Sequence, residues 1–516
     1  MRTTRSDPAP ARRAPPASVP ALLRPLAAAT GAGLLLPFAF APYGAWPLAI
    51  LALAVLIVSV RDLGAWHAAI VGWGFGLGMF GHGVWWIEVS VHQFGVPSLI
   101  FSIGITAMLV AGMALYPALF AGLLRGLPAP NAALRCLVLA PALWVLTEWL
   151  RGWLFTGFPW LALGYSQIDS ALAGFAPLLG VSGCSGVVVL LAGLLAQGLM
   201  ASWRERALLG FLLIAISGTG AALRLQNWTR ELKRDIDVAL VQGAIPQDQK
   251  WDRELRERSL THYLQLSASA WQAPLMIWPE TAVPAFPTEV PEMIEQLQTS
   301  ARAAHTTLLI GMPTGEPWNG RYFNSVVTFG ERPAQYDKRH LVPFGEFFPF
   351  KRWLGNLYML LSIPLSDFSA GADQQPLVYA AGYAVGVSVC FEDVFGGEIA
   401  ATLPAAAYLV NVSNDAWFGD TIAPHQHLEI ARMRALETGR YMLRATNTGI
   451  TAVIDDHGQV RARAPQFEPT VLRARFAARS GSTPYVKLGD WPLLLTLALA
   501  SGATVVHGYR RSAGSH

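Results

Sequence analysis

The sequence predicts a polytopic helical membrane domain of about eight spans joined to a layered α/β domain held outside the cytoplasm. Three observations predict it. Hydrophobic residues make up 53% of the chain and charged residues only 14%, well away from soluble averages. Uncharged apolar runs crowd the first two fifths of the sequence and recur once near the C-terminus. Between them, from Gln226 to Lys487, lies a polar stretch in which strand-like and helix-like patterns alternate. At 516 residues the chain exceeds one ordinary core, so two parts in two solvents are expected.

The stretch through Ser18, rich in Ala, Pro and Arg, reads as a disordered cytoplasmic tail over 1–20. Apolar segments able to cross a ~30 Å hydrocarbon core with some tilt follow at Leu22 to Pro42, Trp46 to Val60, Trp66 to Ile87, Ser98 to Leu124, Ala133 to Leu150, Ala171 to Met200 and Ala207 to Leu223, with a last one at Trp491 to His507. The expected membrane domain therefore covers 21–225, and a C-terminal transmembrane helix covers 488–510. Arg2, Arg5, Arg12, Arg13 and Arg24 precede the first span, Arg61 follows the second, Arg125 follows the fourth, and Arg204 and Arg206 separate the sixth from the seventh. Arg510 and Arg511 follow the last. Positive loops stay in the cytoplasm, which puts the tail 511–516 inside and the polar domain, 226–487, in the periplasm.

Within that domain, β-type runs lie at Ile236 to Val241, Leu275 to Trp278, Thr307 to Gly311, Ser325 to Phe329, Ala384 to Val389, Ala407 to Val412 and Ile450 to Ile454. Helical patterns fall at Asp252 to Leu266, Glu289 to Ala304 and His427 to Glu437. Strands interleaved with helices predict a layered α/β domain. No Gly-x-Gly-x-x-Gly follows the first strand, which argues against a dinucleotide fold. The net charge of +4 comes without a basic stripe, so no nucleic-acid partner is expected. Cys136, Cys184 and Cys390 lack metal-ligand spacing, and neither a metal nor a cofactor is expected.

Three residues at predicted strand ends carry chemistry. Glu280 follows the apolar run Ile277-Trp278-Pro279. Lys338 sits in Tyr336-Asp337-Lys338-Arg339-His340. Cys390 closes Val387-Ser388-Val389. Taken singly, a surface Glu, a solvated Lys and a buried filler Cys are common. Together, the three segments resemble the Glu-Lys-Cys triad of the nitrilase superfamily, and the chain resembles the apolipoprotein N-acyltransferase family, its membrane-embedded branch. Further similar stretches are Gln242 to Gln247 with Lys250-Trp251, Phe323-Asn324-Ser325, Asn411 to Gly419, Ala431 to Glu437, Glu148 to Gly152 and Gly157 to Trp160. One departure is Phe391, where the family commonly has Tyr after the nucleophile.

The resemblance implies an αββα sandwich and a ping-pong acyl transfer without cofactor. The donor would be a phospholipid and the acceptor the α-amino group of a diacylglyceryl-cysteine apolipoprotein, handled by a monomer in the bacterial inner membrane. Glu280 would be the base, shielded beside Trp278, Lys338 the stabilising cation and Cys390 the nucleophile. Glu346, Glu392, Trp251, Asn324, Phe391, Asn414 and Trp417 would support or position substrate. The apolar run from Phe347 to Ile363 reads as a mobile arm on the outer leaflet. Glu148 and Arg151, near a span end, are expected to pair with each other or with Glu88, or to anchor at the interface. A membrane-tethered amidase using the same triad, and a transporter with an inert middle domain, are the competing readings.

Overall fold

The computed structural model describes residues 19–199, 201–250, 253–347 and 367–514. All eight expected spans are helical: Val19–Leu35, Pro47–Ser59, Ala65–Gly83, Leu99–Met113 continued by Leu115–Gly126, Ala140–Arg151, Ala176–Gly198, Trp203–Arg224 and Trp491–Gly514. Among the described residues, six segments are long and apolar enough to cross a membrane, and Pro47–Ser59 is a shorter apolar helix. Ala65–Gly83 falls outside both groups because glycine, tryptophan and histidine lower its hydropathy. Those glycines have a packing reason: a Cβ at Gly78 would sit 2.5 Å from the Thr30 carbonyl oxygen, and one at Gly72 would strike the Pro117 carbonyl. Small residues let helix backbones approach where no water drives them together. Trp203–Arg224 starts at a capping box in which Glu205 accepts the Ser202 N–H at 2.7 Å, satisfying donors that would otherwise be orphaned.

The polar domain holds strands β1 (Thr229–Gln242), β2 (Leu275–Ile277), β3 (Thr307–Glu316), β4 (Arg321–Phe329), β5 (Gln335–Asp337), β6 (Val378–Ala380), β7 (Tyr383–Val389), β8 (Tyr408–Ser413), β9 (Met442–Thr446), β10 (Ala452–Ile454), β11 (Val460–Arg463) and β12 (Thr470–Gly481). They form two six-stranded sheets, ordered β12-β1-β2-β3-β4-β5 and β11-β10-β9-β8-β7-β6. Strand alternation sorts the side chains into layers. Val238 and Leu240 meet Val387, Val410 and Leu443 between the sheets. Ala239 and Val241 turn outward to Tyr263 and Leu297 on helices Arg253–Ser267 and Pro291–Ala303. On the other side Leu409 and Ala452 pack on Ala431 and Ala435 of helix Ala423–Thr438. Four layers, helix–sheet–sheet–helix, follow.

Helix Ala423–Thr438 also packs on its opposite face, where Ile430, Met433 and Leu436 join the apolar cluster of the membrane helices. It is therefore a shared wall, which explains why charged residues on it, such as the Arg434–Glu437 pair at 2.8 Å, are fully buried. A second joint lies at Gly180, whose φ of +66° breaks helix Ala176–Gly198. The space a Cβ would need there is filled by the Tyr485 ring. The expected Glu148–Arg151–Glu88 pairing is replaced by separate partners. Glu148 accepts from Trp144 Nε1 at 2.8 Å and the Leu163 N–H at 2.9 Å, Arg151 donates to the Phe158 carbonyl at 2.7 Å and to that of Trp160, and Glu88 accepts from Ser102 Oγ at 2.8 Å. In an apolar setting, fixed dipoles serve these ions one by one, leaving Glu148 Oε2 without a hydrogen-bond partner among the described residues.

Candidate active site

Three strand ends converge at one mouth of the sandwich. β2 stops at Ile277, because Pro279 offers no N–H to a ladder, and the chain turns with Thr281 at φ +49°. This leaves Glu280 buried at 6% exposure. Gly311 leaves space for the turn: a Cβ there would lie 2.6 Å from Glu280 Cα. β5 delivers Lys338, whose main-chain N–H donates to the Asn324 carbonyl at 2.8 Å. β7 delivers Cys390, buried and held at φ +52°, a left-handed conformation that a non-glycine residue adopts only under constraint.

The side chains form a linked set. Lys338 Nζ lies 2.8 Å from Glu346 Oε2 and 3.7 Å from Glu280 Oε1. Asn324 Nδ2 donates to Glu280 Oε1 at 2.7 Å and to Glu346 Oε1 at 2.9 Å. Glu346 is fixed in turn by the Val342 N–H at 2.8 Å. Burial opposes the charge of Lys338, but the Glu346 and Glu280 carboxylates outweigh it and hold its pKa above the ordinary value. Burial pushes the Cys390 thiol up, as does the Glu280 charge, while Lys338 and a hydrogen bond with Ser413 oppose the rise. The thiol is thus protonated at rest, in electrostatic reach of both a carboxylate and an ammonium.

Behind Cys390 lies a buried ionic cluster. His427 Nδ1 is 2.9 Å from Asp415 Oδ1, and Nε2 is 3.0 Å from Asp393 Oδ1 and 3.3 Å from the Cys390 carbonyl oxygen. Arg444 reaches Asp393 at 3.2 Å, Asp415 at 3.0 Å and Asn411 Oδ1 at 2.7 Å. Asn411 Nδ2 then donates to the Cys390 carbonyl at 3.1 Å. Burial and Arg444 disfavour a charged imidazole, but Asp393 and Asp415 prevail and push His427 up to about 9. An imidazolium therefore braces the strained turn.

The other expected residues fall in distinct places. Glu392 sits under the turn, accepting the N–H groups of Val389 and Arg339 at 2.7 Å each and the Tyr336 hydroxyl at 3.0 Å. It ties the Lys338 segment to the Cys390 segment. Phe391 faces the membrane domain, stacked on Trp160 at 6.3 Å between ring centroids. Asn414 is a buried link between Gln247 Oε1, at 2.6 Å, and Asn447. Trp417 packs on Phe94 at 4.9 Å and accepts from Ser90 through its carbonyl, which places it against the short helix Ile87–Phe94 that follows the third span. Trp278 stacks on Tyr263 in the outer helical layer. Trp251 and residues 348–366, with the expected arm, lie outside the described residues. Sequence reasoning missed Lys250 as a site residue, although it stands in one of the similar stretches. It also missed the cluster behind Cys390, whose members share no spacing.

Comparison with known proteins adds to this geometry. Residues 32–194 match the family model of the apolipoprotein N-acyltransferase N-terminal domain, and residues 237–485 match that of carbon-nitrogen hydrolases. An apolipoprotein N-acyltransferase of Methylococcus capsulatus is 48% identical across 95% of this chain and 97% of its own length. Those of Vibrio cholerae and Nitrosomonas europaea are each 42% identical, across 93% and 94% of this chain and 96% and 99% of their own lengths.

Proposed function

The chain belongs to the apolipoprotein N-acyltransferase family, and from that premise we propose that Cys390 carries the acyl group, with Glu280 as its base and Lys338 as the cation that stabilises thiolate and oxyanion. The protein is a membrane acyltransferase of lipoprotein maturation, working through a cysteine acyl-enzyme. One observation carries the assignment of residues: Glu280, Lys338 and Cys390, far apart in sequence, are all buried where β2, β5 and β7 end, with Lys338 Nζ 3.7 Å from Glu280 Oε1.

In the first half-reaction Glu280 takes the Cys390 proton and the thiolate attacks a phospholipid ester carbonyl. The C–S bond forms, the bond from carbonyl carbon to glycerol oxygen breaks, and the lyso-lipid oxygen leaves with the proton from Glu280. A preorganised ammonium on the oxyanion contributes about 3 kcal/mol. In the second half-reaction the neutral α-amine of the acceptor attacks the thioester. The C–N bond forms, the C–S bond breaks, and the amine proton passes to Glu280 and back to sulfur. The Asn324 Oδ1, buried and without a protein donor among the described residues, offers an acceptor for that amine. Burial of Cys390 keeps water from the thioester. We place the sandwich on the periplasmic side of the inner membrane, with the chain acting as a monomer.

Mass spectrometry of the purified full-length protein incubated with phospholipid vesicles tests the assignment. A fatty acyl mass is expected on the Cys390 peptide and absent in Cys390→Ser. An acyl mass retained by that variant, or none in the parent, would sink it.

A further inference from the structure

Lys250 ends the short helix Gln247–Lys250 after β1 and is 2% exposed. Its Nζ donates 2.8 Å to the main-chain carbonyl of Glu280. Lys338 is paired with Glu346 and Glu280, whereas Lys250 forms no ion pair among the described residues. Lys338 is acted on by Glu280, Glu346 and the buried Glu392, so one ammonium serves three carboxyl groups and Lys250 is the second cation of the site. When the Cys390 proton moves to Glu280, the negative charge moves to sulfur, on which both lysines bear. Without Lys250 the thiolate keeps only one of these cations in a buried site, which is costly.

We infer that Lys250 is a positioning residue for acyl transfer, holding the Glu280 main chain and supplying a second positive charge that bears on the thiolate. The inference rests on the reading of Cys390 as nucleophile. Burial pushes Lys250 down to about 8, opposed by the charges of Glu280 and Cys390, so it is mostly protonated at neutral pH.

The test is the rate of Cys390 alkylation by iodoacetamide at pH 7, below the Lys250 titration, in the full-length protein carrying Cys136→Ala and Cys184→Ala. The other groups bearing on thiolate formation are Glu280 after β2, Lys338 after β5, Ser413 at the end of β8 and Asp415 after it, Glu346 and Glu392 acting on Lys338, His427 against the Cys390 carbonyl, and Asp393 and Arg444 in the cluster behind it. All are unchanged in the variants. Lys250→Gln keeps an N–H donor but no charge, and should lower the rate about tenfold or more. Lys250→Arg should restore most of it. Lys250→Met, which keeps the apolar stem, gives the same reading should the amide not be accommodated. A parental rate in folded Lys250→Gln or Lys250→Met overturns the inference. A parent that forms no acyl adduct on Cys390 overturns the reading beneath it, whatever the rates.

Discussion

Asn324 is the residue on which the site's carboxylates are hung, since one amide nitrogen serves both Glu280 and Glu346. Hydrogen bonds to charged groups contribute about 1.5–3 kcal/mol. Asn324→Ala should therefore slow formation of the acyl-enzyme by about 10–100-fold, measured as the rate of acyl mass gain on Cys390. Glu280→Gln removes the proposed base and should cost about 10²–10⁴-fold in the same assay. His427 predicts a pH dependence of stability. Its folded pKa, about 9, lies above the unfolded value of about 6.5, so the protonated form is favoured by folding. The stabilisation is fully present below about pH 6.5 and is lost as pH rises through 9. Melting temperatures across that window should fall more steeply for the parent than for His427→Gln. That Glu280, Lys338 and Cys390 belong together was legible only from their three segments taken jointly, since each is ordinary alone. The ionic cluster was not, because Asp393, Asp415, His427 and Arg444 meet only after three strands and a helix have packed.

At the scale of elements, legibility followed the apolar pattern. Runs such as Ile236 to Val241 and Ala384 to Val389 announce β1 and β7 through β-branched residues that fit a buried pleat. β9 and β12 carry Arg444, and Arg473, Arg475 and Arg479, within their spans, and charges in a strand obscure its alternation. Arg444 is tolerated because Asp393 and Asp415 neutralise it, a fact visible only in three dimensions. The Arg434–Glu437 pair in helix Ala423–Thr438 follows the same logic. Arg434→Met alone should lower stability by about 3–5 kcal/mol, by stranding the Glu437 charge, while adding Glu437→Leu should recover much of it. Thermal unfolding of the two variants in detergent checks this. Gly180→Ala should destabilise by about 1–3 kcal/mol from its backbone conformation alone. Displacement of the Tyr485 ring should add to this and expose the segment before helix Trp491–Gly514 to protease.

At the scale of the molecule, the two parts share one apolar cluster across which Val394, Ile430, Met433 and Leu436 meet the membrane helices. The division into a membrane portion and a sandwich was readable from hydropathy, but this dependence between them was not, since buried apolar residues look alike whichever layer covers them. The segment 226–487 expressed alone should aggregate or require detergent, as contiguous exposed apolar surface does. Size-exclusion chromatography with and without detergent measures it.

The pairing of β1 with β12, which sets Thr229 opposite Gly481, has a consequence for biogenesis. The first strand to emerge has its outer neighbour among the last residues of the domain to be synthesised, so one edge of that sheet stays bare through nearly the whole synthesis of the sandwich. Such non-local closure is slow and leaves nascent chains prone to wrong pairing. Ribosomes stalled before Thr470 should therefore yield chains that surveillance proteases clear from the bilayer surface, whereas those stalled beyond Gly481 should already resist digestion.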